Sequence, residues 1–263
     1  MKKKTIISVD LEYDWGSKKT SNLVEIVPRL LDFFDVHEIK ATFFVLGDLA
    51  DRFEGLIKDI SKKHEIGSHG FSHRILNRIS KKEVEYEVAR SKKVLEDLGI
   101  RVYGFRSPEC IFPVYLGKLL KKNGYVYDSS ISRFIFPGRY SRVFVSTKPY
   151  IADAGNITKK GRDILELPIP NFSILSLPFG FPWIRLFYPL SLWRLKMRYM
   201  FYMHPCEFLG KSVGKGENPL IRFFYGRNRG RKAWDIFENF INKLDADFIT
   251  CSDYIKIRFP NLL

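Results

Sequence analysis

Cysteine is scarce in this 263-residue chain, and the cysteines present do not form a recognisable framework. Cys110, Cys206 and Cys251 are an odd number, and none of their spacings is that of a zinc knuckle. A disulfide-stapled miniprotein is therefore excluded, and we expect reduced, mostly buried thiols.

The chain also lacks a hydrophobic run suited to a transmembrane helix. Its longest uncharged stretch, residues 167–184, has sufficient length but contains four prolines, which would break a helix repeatedly. The apolar run that ends at Val9 is too short for a secretory signal peptide. These features predict a cytoplasmic protein.

The chain also lacks linkers and repeats, and it has fewer acidic than basic residues. No Gly/Ser linker, low-complexity tract or repeat divides the chain, which predicts one domain over residues 1–263. Because 45% of the residues are hydrophobic and 15% aromatic, a large core can form and intrinsic disorder is excluded. Lys and Arg outnumber Asp and Glu by 44 to 29, and this net charge of +15 favours an anionic partner such as nucleic acid, anionic lipid or acidic glycan.

Short β-rich runs alternate with segments of helical period, which is typical of βα units around a parallel sheet. The predicted strands lie near residues 4–10, 40–46, 65–68, 102–105, 125–127, 164–167, 199–203 and 247–251. The clearest predicted helices cover residues 22–36, 81–98 and 231–244, and Ser80 is the predicted cap of the second. The connection over 129–162 is long and has no clear helix. The predicted fold class is thus α/β, a distorted or incomplete (β/α) barrel, with a flat doubly wound sheet as the alternative.

Residues capable of catalysis follow the carboxyl ends of the predicted strands, where a parallel barrel builds its active site. They are Asp10, Glu12 and Asp14 after the first strand, His69 and His73 after the third, Arg106 after the fourth, Asp128 after the fifth and His204 after a late strand. We expect these distant segments to meet at one mouth.

Two of these groups have the spacing of metal ligands. On an extended chain the side chains of Asp10 and Glu12 point the same way, and in a helical turn His69 and His73 would aim at one point. Two histidines and one carboxylate would leave a coordination position open for water and substrate. Each group alone also has an ordinary interpretation, a helix cap or solvated loop for the acids and isolated structural histidines for the pair.

Other polar residues have both a structural and a functional interpretation. Arg106 is a surface arginine or a guanidinium that orients a carboxylate. His204 is a structural histidine or a proton donor near neutral pH. For Asp128 a turn or cap role is favoured, and His37 and His64 are assigned no function.

Taken together, six segments resemble the polysaccharide deacetylases with NodB homology, carbohydrate esterase family four. The segments are SVDLE at 8–12, ATFFVLG at 41–47, EIGSHGFSH at 65–73, GFRSPE at 104–109, GYVYDSS at 124–130 and YMHPCEF at 202–208. The resemblance implies a distorted (β/α) barrel that carries a divalent metal, usually zinc, and hydrolyses an N-acetyl group on a sugar. The expected partner is an N-acetylated glycan, either free or lipid-linked.

The resemblance also implies a role for individual residues. It makes Asp10 the general base, His69 and His73 metal ligands, Arg106 the residue that orients the base, and His204 the general acid. The family's hydrophobic residue at the substrate methyl group falls on Tyr202. Most members have a second, metal-binding aspartate where this chain has Leu11, so Glu12 is the expected replacement ligand and Asp14 the reserve.

Further sequence features suggest a subgroup of the family, and two alternative functions remain open. The Asp-x-Glu form, the HPCEF segment and the apolar residues 178–193 resemble a subgroup found with exopolysaccharide and cell-surface glycan clusters. The superfamily also contains metal-free cyclic-amide hydrolases similar to allantoinase, which gives one alternative function. A non-catalytic glycan- or membrane-binding module on the same fold is another.

Residues 167–206, the basic aromatic segment, contain no acidic residue. Four cations interleave there with seven aromatic residues: Arg185, Arg194, Lys196 and Arg198 with Phe179, Phe181, Trp183, Phe187, Tyr188, Trp193 and Tyr199. This mixture predicts peripheral contact with an anionic inner membrane surface, and packing of the aromatics over the barrel is the alternative. A cationic group near the end of the chain, Arg222, Arg227, Arg229, Arg231 and Lys232, has no recognised nucleic-acid motif, so no nucleic-acid partner is expected.

Overall fold

The computed structural model describes residues 2–133, 144–172, 177–192, 198–210, 223 and 225–263. Within these ranges, ten strands form one sheet: β1 (Lys3–Leu11), β2 (Ala41–Val45), β3 (Glu65–Ser68), β4 (Gly104–Phe105), β5 (Tyr127–Asp128), β6 (Tyr150–Asp153), β7 (Asn156–Lys160), β8 (Ile164–Glu166), β9 (Met200–Met203) and β10 (Ala246–Ile249). The α-helices described are α1 (Val27–Val36), α2 (Gly47–Arg52), α3 (Glu54–Ser61), α4 (Lys81–Asp97), α5 (Leu116–Lys122), α6 (Phe181–Leu186), α7 (Arg231–Asn242) and α8 (Cys251–Arg258). A π-helical turn, Asn22–Ile26, leads directly into α1.

The sheet curls into an incomplete barrel. Its strand order is β10-β1-β2-β3-β4-β5-β8-β6-β7, and β9 also pairs with β1. β6 pairs antiparallel with both β7 and β8, and the other pairings are parallel. Isolated bridges extend the pairing from the β8 side toward β9, at Ser132↔Ile169, Asn171↔Pro178 and Gly180↔Tyr202. The distorted barrel predicted from the sequence is confirmed, and the flat sheet is not formed.

The hairpin β6–β7 lies in the connection for which the sequence predicted no regular element. Its tight turn follows Asp153, whose Oδ1 accepts the N–H groups of Gly155 at 2.6 Å and Asn156 at 3.2 Å. Such an Asp-initiated turn between two short runs is a hairpin signal that the sequence analysis missed. β6 adds to the sheet beside β8, with Ile151 aligned to Leu165.

The longest helix, α4, follows its sequence signal closely. The Ser80 side chain accepts the N–H of Glu83 at 3.4 Å, and the Glu83 carboxylate accepts the N–H of Ser80 at 2.8 Å. This capping box satisfies two amides that the first helical turn leaves unpaired. The predicted start at residue 81 is therefore confirmed.

β1 separates the hydrophobic core from the polar interior of the curled sheet. Ile7, Val9 and Leu11 belong to the main core cluster that packs under the helices. The alternate residues Ser8 and Asp10 are buried on the other side, where both contact Arg106. The period of two along a strand thus brings a charged side chain to the carboxyl end of β1.

The cysteines agree with the expectation of mostly buried thiols outside a disulfide framework. Cys206 and Cys251 are buried, Cys110 is half-buried, and none of the three is in a disulfide bond. In the described ranges, no helix combines the length and the apolarity needed to cross a membrane.

Candidate active site

Three side chains from the first and third strand ends form a cluster suited to a metal ion. Glu12 follows β1, and His69 and His73 follow β3. One ligand atom from each lies within 4.8 Å of the others, and no other such group occurs in the part of the chain that the structure describes. Nε2 of His73 is 2.5 Å from Oε2 of Glu12, and Nε2 of His69 is 3.6 Å from the same oxygen. The residues predicted as ligands are therefore brought together.

The orientation of the imidazoles fits a cation better than a set of hydrogen bonds. Nε2 of His73 is buried and makes no hydrogen bond, although the Glu12 oxygen is close to it. Nδ1 of His69 lies 2.8 Å from the carbonyl oxygen of Arg106, so it carries the proton and leaves the lone pair of Nε2 facing Glu12. Two imidazole nitrogens and one carboxylate are a usual donor set for catalytic zinc, and the set leaves positions for water and substrate.

Electrostatics also favour a cation at this point. Burial raises the pKa of Glu12, but the charge of the adjacent His73, together with the contact with His69, outweighs this effect and holds the pKa well below its usual value. Burial lowers the pKa of His73, and the neighbouring Glu12 carboxylate outweighs it in turn and raises the pKa. A buried carboxylate that stays ionised needs a positive partner.

The two histidines converge through an irregular turn and not through the helical turn that their spacing suggested. Gly70 has a φ of +78° and His73 a φ of +63°, both left-handed. The first two residues of α2 donate hydrogen bonds to the turn. The N–H of Gly47 binds the carbonyl oxygen of Gly70 at 3.0 Å, and the N–H of Asp48 binds that of Phe71 at 2.9 Å. The positive φ values reverse the chain and return His73 toward His69.

Asp14, the reserve ligand, has a structural position instead. Its carboxylate accepts the backbone N–H groups of Ser21 at 3.1 Å and Asn22 at 2.9 Å, and the Asn22 side-chain amide at 2.7 Å. These bonds cap the π-helical turn that precedes α1. The structure therefore favours Glu12 over Asp14 as the carboxylate ligand.

Arg106 is completely buried in the interior of the curled sheet and holds Asp10. One guanidinium nitrogen donates to Oδ1 of Asp10 at 2.6 Å and to the Ser8 hydroxyl at 3.0 Å. The other donors reach the carbonyl oxygen and hydroxyl of Ser129 at 3.1 and 2.9 Å. The interpretation as a surface arginine is excluded, because the side chain is 0% exposed.

His204 lies between two carboxylates at the same mouth. Its Nε2 is 3.7 Å from Oδ2 of Asp10, and its Nδ1 is 3.2 Å from Oε1 of Glu207. Glu207 is buried in the short 3-10 helix Pro205–Phe208 and also accepts the backbone N–H of His204 at 3.0 Å. The sequence analysis missed Glu207, although a carboxylate three residues after a residue that begins a helical turn is a capping signal.

The second oxygen of Glu207 pairs with Arg185 of α6. Nε of Arg185 lies 2.8 Å from Oε2 of Glu207, and both side chains are almost fully buried. Burial lowers the pKa of His204, but the hydrogen bond to Glu207 and the nearby Glu12 and Asp10 carboxylates raise it to about 9. In the absence of a metal ion, His204 is therefore protonated at neutral pH.

Tyr202 borders His204, two residues before it on β9. The two rings meet edge to face at 5.8 Å between centroids. The Tyr202 ring lies against Gly180, where a Cβ atom would come within 2.1 Å of it. Gly180 therefore permits the aromatic ring to occupy this place beside the histidine.

The basic aromatic segment differs from its sequence interpretation. Phe179 and Phe181 are fully buried in the core, and Arg185 is 1% exposed, so none of them faces a membrane. Trp193, Arg194 and Lys196 lie outside the described residues. Phe187 and Leu190 are 42% and 74% exposed. The exposed surface of the basic aromatic segment that could contact a membrane is therefore smaller than the sequence predicted.

The remaining polar residues of the sequence analysis have structural contacts. Asp128 is buried and accepts the Ser130 hydroxyl at 2.6 Å and its N–H at 3.2 Å, as the turn interpretation predicts. His64 is buried and accepts the N–H of Ala41 through Nδ1 at 3.2 Å. Nδ1 of His37 lies 2.9 Å from the carbonyl oxygen of Phe33.

The amino-terminal half of the chain matches a family model described as polysaccharide deacetylase, over residues 2–127. A peptidoglycan-N-acetylglucosamine deacetylase of Bacillus cereus is 33% identical over 99 residues, which are 37% of this chain and 34% of the relative. A peptidoglycan deacetylase of Helicobacter pylori is 33% identical over 119 residues, 44% of this chain and 41% of the relative. The matches thus span about a third to two-fifths of the length of these curated relatives.

The likeness of fold extends over nearly the whole chain. The solved structure of the peptidoglycan deacetylase PdaC from Bacillus subtilis aligns with a TM-score of 0.55 and covers 98% of this chain and 92% of that chain. The sequence identity over this alignment is 14%, so it shows the fold alone.

Proposed function

Because residues 2–127 match a family model described as polysaccharide deacetylase, we propose that this protein is a metal-dependent hydrolase that removes the N-acetyl group from an N-acetylated sugar. One observation carries the proposal: the Glu12, His69 and His73 ligand atoms converge beside a buried Asp10 that also faces His204. Acetamide hydrolysis needs an electrophile, a base and an acid within reach of one bond, and this mouth offers all three.

Glu12, His69 and His73 would hold a divalent metal, and we propose zinc. A bound divalent cation supplies Lewis acidity toward the acetamide carbonyl and lowers the pKa of water. The hydrogen bond between His69 and the Arg106 carbonyl fixes which nitrogen faces the site.

Asp10 is the proposed general base. Its Oδ1 is held by Arg106 at 2.6 Å, which leaves Oδ2 as the oxygen toward the mouth. Arg106 stays charged at physiological pH, and its hydrogen bond fixes the orientation of the Asp10 carboxylate. Asp10 can therefore accept a proton from the attacking water.

His204 is the proposed general acid. Glu207 binds Nδ1 and stabilises the imidazolium, while Nε2 faces the mouth and Asp10. The departing sugar amine must gain a proton, because an amine anion is a very poor leaving group. His204 is positioned to donate it.

Tyr202 is proposed to contact the methyl end of the acetamide. It stands where the family has a hydrophobic residue, and its ring lies beside His204. An aromatic face can pack against a methyl group as an aliphatic side chain does.

The proposed substrate is a polysaccharide or a lipid-linked glycan containing N-acetylhexosamine. Two relatives are named as peptidoglycan deacetylases, which supports an N-acetylated glycan as the substrate class. The sequence features shared with exopolysaccharide-associated members support a cell-surface glycan precursor processed at the inner face of the membrane.

We further propose that the protein is cytoplasmic and contacts an anionic membrane surface through the outer side of α6. Trp183 and Phe187 stack there with ring centroids 6.3 Å apart, and Leu190 is largely exposed. The net charge of +15 would add attraction to anionic head groups.

Liposome sedimentation tests this contact. Binding to vesicles with anionic lipid is expected at low salt, and it should weaken when Phe187→Ser and Leu190→Ser are combined. Val36→Ser is the matched control, because Val36 is 79% exposed on α1 and lies outside the basic aromatic segment. Equal sedimentation of all three proteins, or none by the wild type, would reject the contact.

Metal analysis combined with an amine-release assay tests the enzymatic proposal. We expect about one zinc per chain, release of free amine from N-acetylglucosamine oligomers, loss of activity with a chelator and recovery on zinc addition. Amidase activity on cyclic amides without metal would support the allantoinase-like alternative. Glycan binding by a metal-free, inactive protein would support the non-catalytic module.

A further inference from the structure

The turn that carries the two histidines is bound from behind by a carboxylate of α4. Glu87 lies in the middle of this helix and is 2% exposed. Its Oε2 accepts the backbone N–H groups of Phe71 and Ser72, both at 2.8 Å. Its Oε1 accepts the Ser72 hydroxyl at 2.5 Å. One carboxylate thus satisfies three consecutive donors between His69 and His73.

Helix α2 binds the carbonyl oxygens of the same turn. The carbonyl oxygens of Gly70 and Phe71 accept the N–H groups of Gly47 and Asp48. The turn is therefore fixed between the amino terminus of one helix and an acid on another. A Cβ atom on Gly70 would make ordinary van der Waals contacts with Pro108 at 3.4 Å and Glu87 at 3.5 Å, so the φ of +78°, and not a lack of space, favours glycine here.

The two histidines depend on this turn to different degrees. His69 is anchored by the sheet, because its N–H donates to Val45 at 2.9 Å and its ring to Arg106. His73 stands at the far end of the turn with a φ of +63°, a conformation unfavourable for a residue with a Cβ atom. The hydrogen bonds of Glu87 precede His73 directly and oppose relaxation of this backbone.

We propose that Glu87 is a positioning residue of the metal site: its carboxylate fixes the turn so that Nε2 of His73 stays within coordinating reach of Glu12 and His69. The inference rests on the proposed metal-dependent function. Glu87 touches neither metal nor substrate and acts through the backbone of residues 71 and 72. Loss of an outer-shell partner of this kind weakens metal binding by about 10–100-fold.

Zinc affinity of the full chain tests this role, measured by competition with a chromophoric chelator. Glu87→Ala should weaken zinc binding by about 10–100-fold. Glu87→Gln should recover part of the affinity, since the amide oxygen can still accept the two N–H groups. Ser72→Ala, which removes one of the three bonds and is the variant to use if Glu87→Ala does not fold, should weaken zinc binding by about 2–10-fold.

Val88→Ala is the matched control for a merely structural effect. Val88 is the next residue of α4, is fully buried and packs in the main core. This variant should lower the melting temperature of the metal-free protein and leave the zinc Kd unchanged.

The outcomes separate the two proposals. Wild-type zinc binding with the same Kd in the Glu87 and Ser72 variants would overturn the role of Glu87 and leave the proposed function intact. A folded wild-type protein that does not bind zinc would overturn both.

Discussion

Replacing Glu12 and Asp14 by their amides, one at a time, separates metal binding from folding. Glu12 contacts both imidazoles, whereas Asp14 accepts hydrogen bonds from residues 21 and 22. We therefore expect Glu12→Gln to abolish most zinc affinity with little change in the fold. Asp14→Asn should destabilise the fold and leave zinc affinity unchanged.

The two magnitudes follow from the contacts. Removing one partner of a buried ion pair costs about 3–5 kcal/mol, which corresponds to roughly 150-fold to 5,000-fold in zinc affinity for Glu12→Gln. For Asp14, an amide can replace only part of the capping interaction, so the loss is about 1–2 kcal/mol. In a chain of 263 residues, that corresponds to roughly 2–4 °C in melting temperature.

The assay is zinc competition combined with thermal unfolding of the metal-free proteins. Each variant is the control for the other, since both remove one negative charge near the end of β1. The reverse pattern, with zinc affinity lost in Asp14→Asn and retained in Glu12→Gln, would refute the assignment of the carboxylate ligand.

Three further predictions concern histidines. His204→Ala should lower turnover by about 100-fold to 10,000-fold in a protein whose circular dichroism is unchanged, and near-normal turnover would exclude the role of general acid. Burial lowers the pKa of His204, but Glu207 and nearby carboxylates raise it to about 9. Glu207→Gln should therefore move the alkaline limb of the pH–rate profile to lower pH. An unchanged alkaline limb would contradict the coupling between Glu207 and His204. Burial lowers the pKa of His64 in the folded protein to about 4, so just below pH 6.5 this histidine gains a proton only in the unfolded chain. The free energy of unfolding should therefore fall by about 1–2 kcal/mol when the pH is lowered from 7 to 5. Urea unfolding of His64→Gln should show a smaller fall, and an equal fall would contradict the assignment.

The parallel strands could be predicted because burial on both faces gives near-continuous apolar runs. β2, ATFFV, is buried at all five positions and is recognisable without any partner. The hairpin β6–β7 was missed because its strands are short and partly exposed, with Asn156–Lys160 ending in two exposed lysines. Its stability comes from pairing with β8, which a local pattern does not show.

The convergence of Glu12, His69 and His73 could be predicted because they follow strand ends, where the topology of a parallel barrel fixes their meeting place. Glu87 could not, since it acts on a turn that packing brings to it from another element. Glu207 carries only a local capping signal, which does not show its contacts with the His204 ring and with Arg185. Arg185 was misinterpreted as an outward cation for the same reason: its partner Glu207 lies 22 residues away. Charge patterns show which residues are available for pairing, and the fold decides which pairs form.

The pairing of β1 has a consequence for synthesis on the ribosome. Lys3 aligns with Ala246 of β10 and Ile7 with Phe201 of β9, so the first strand made is among the last to be completed. Until residue 203 has left the exit tunnel, one apolar edge of the nascent sheet stays bare and open to chaperones or to neighbouring nascent chains. A fragment that stops at residue 127 is accordingly expected to aggregate, however well its sequence matches the family.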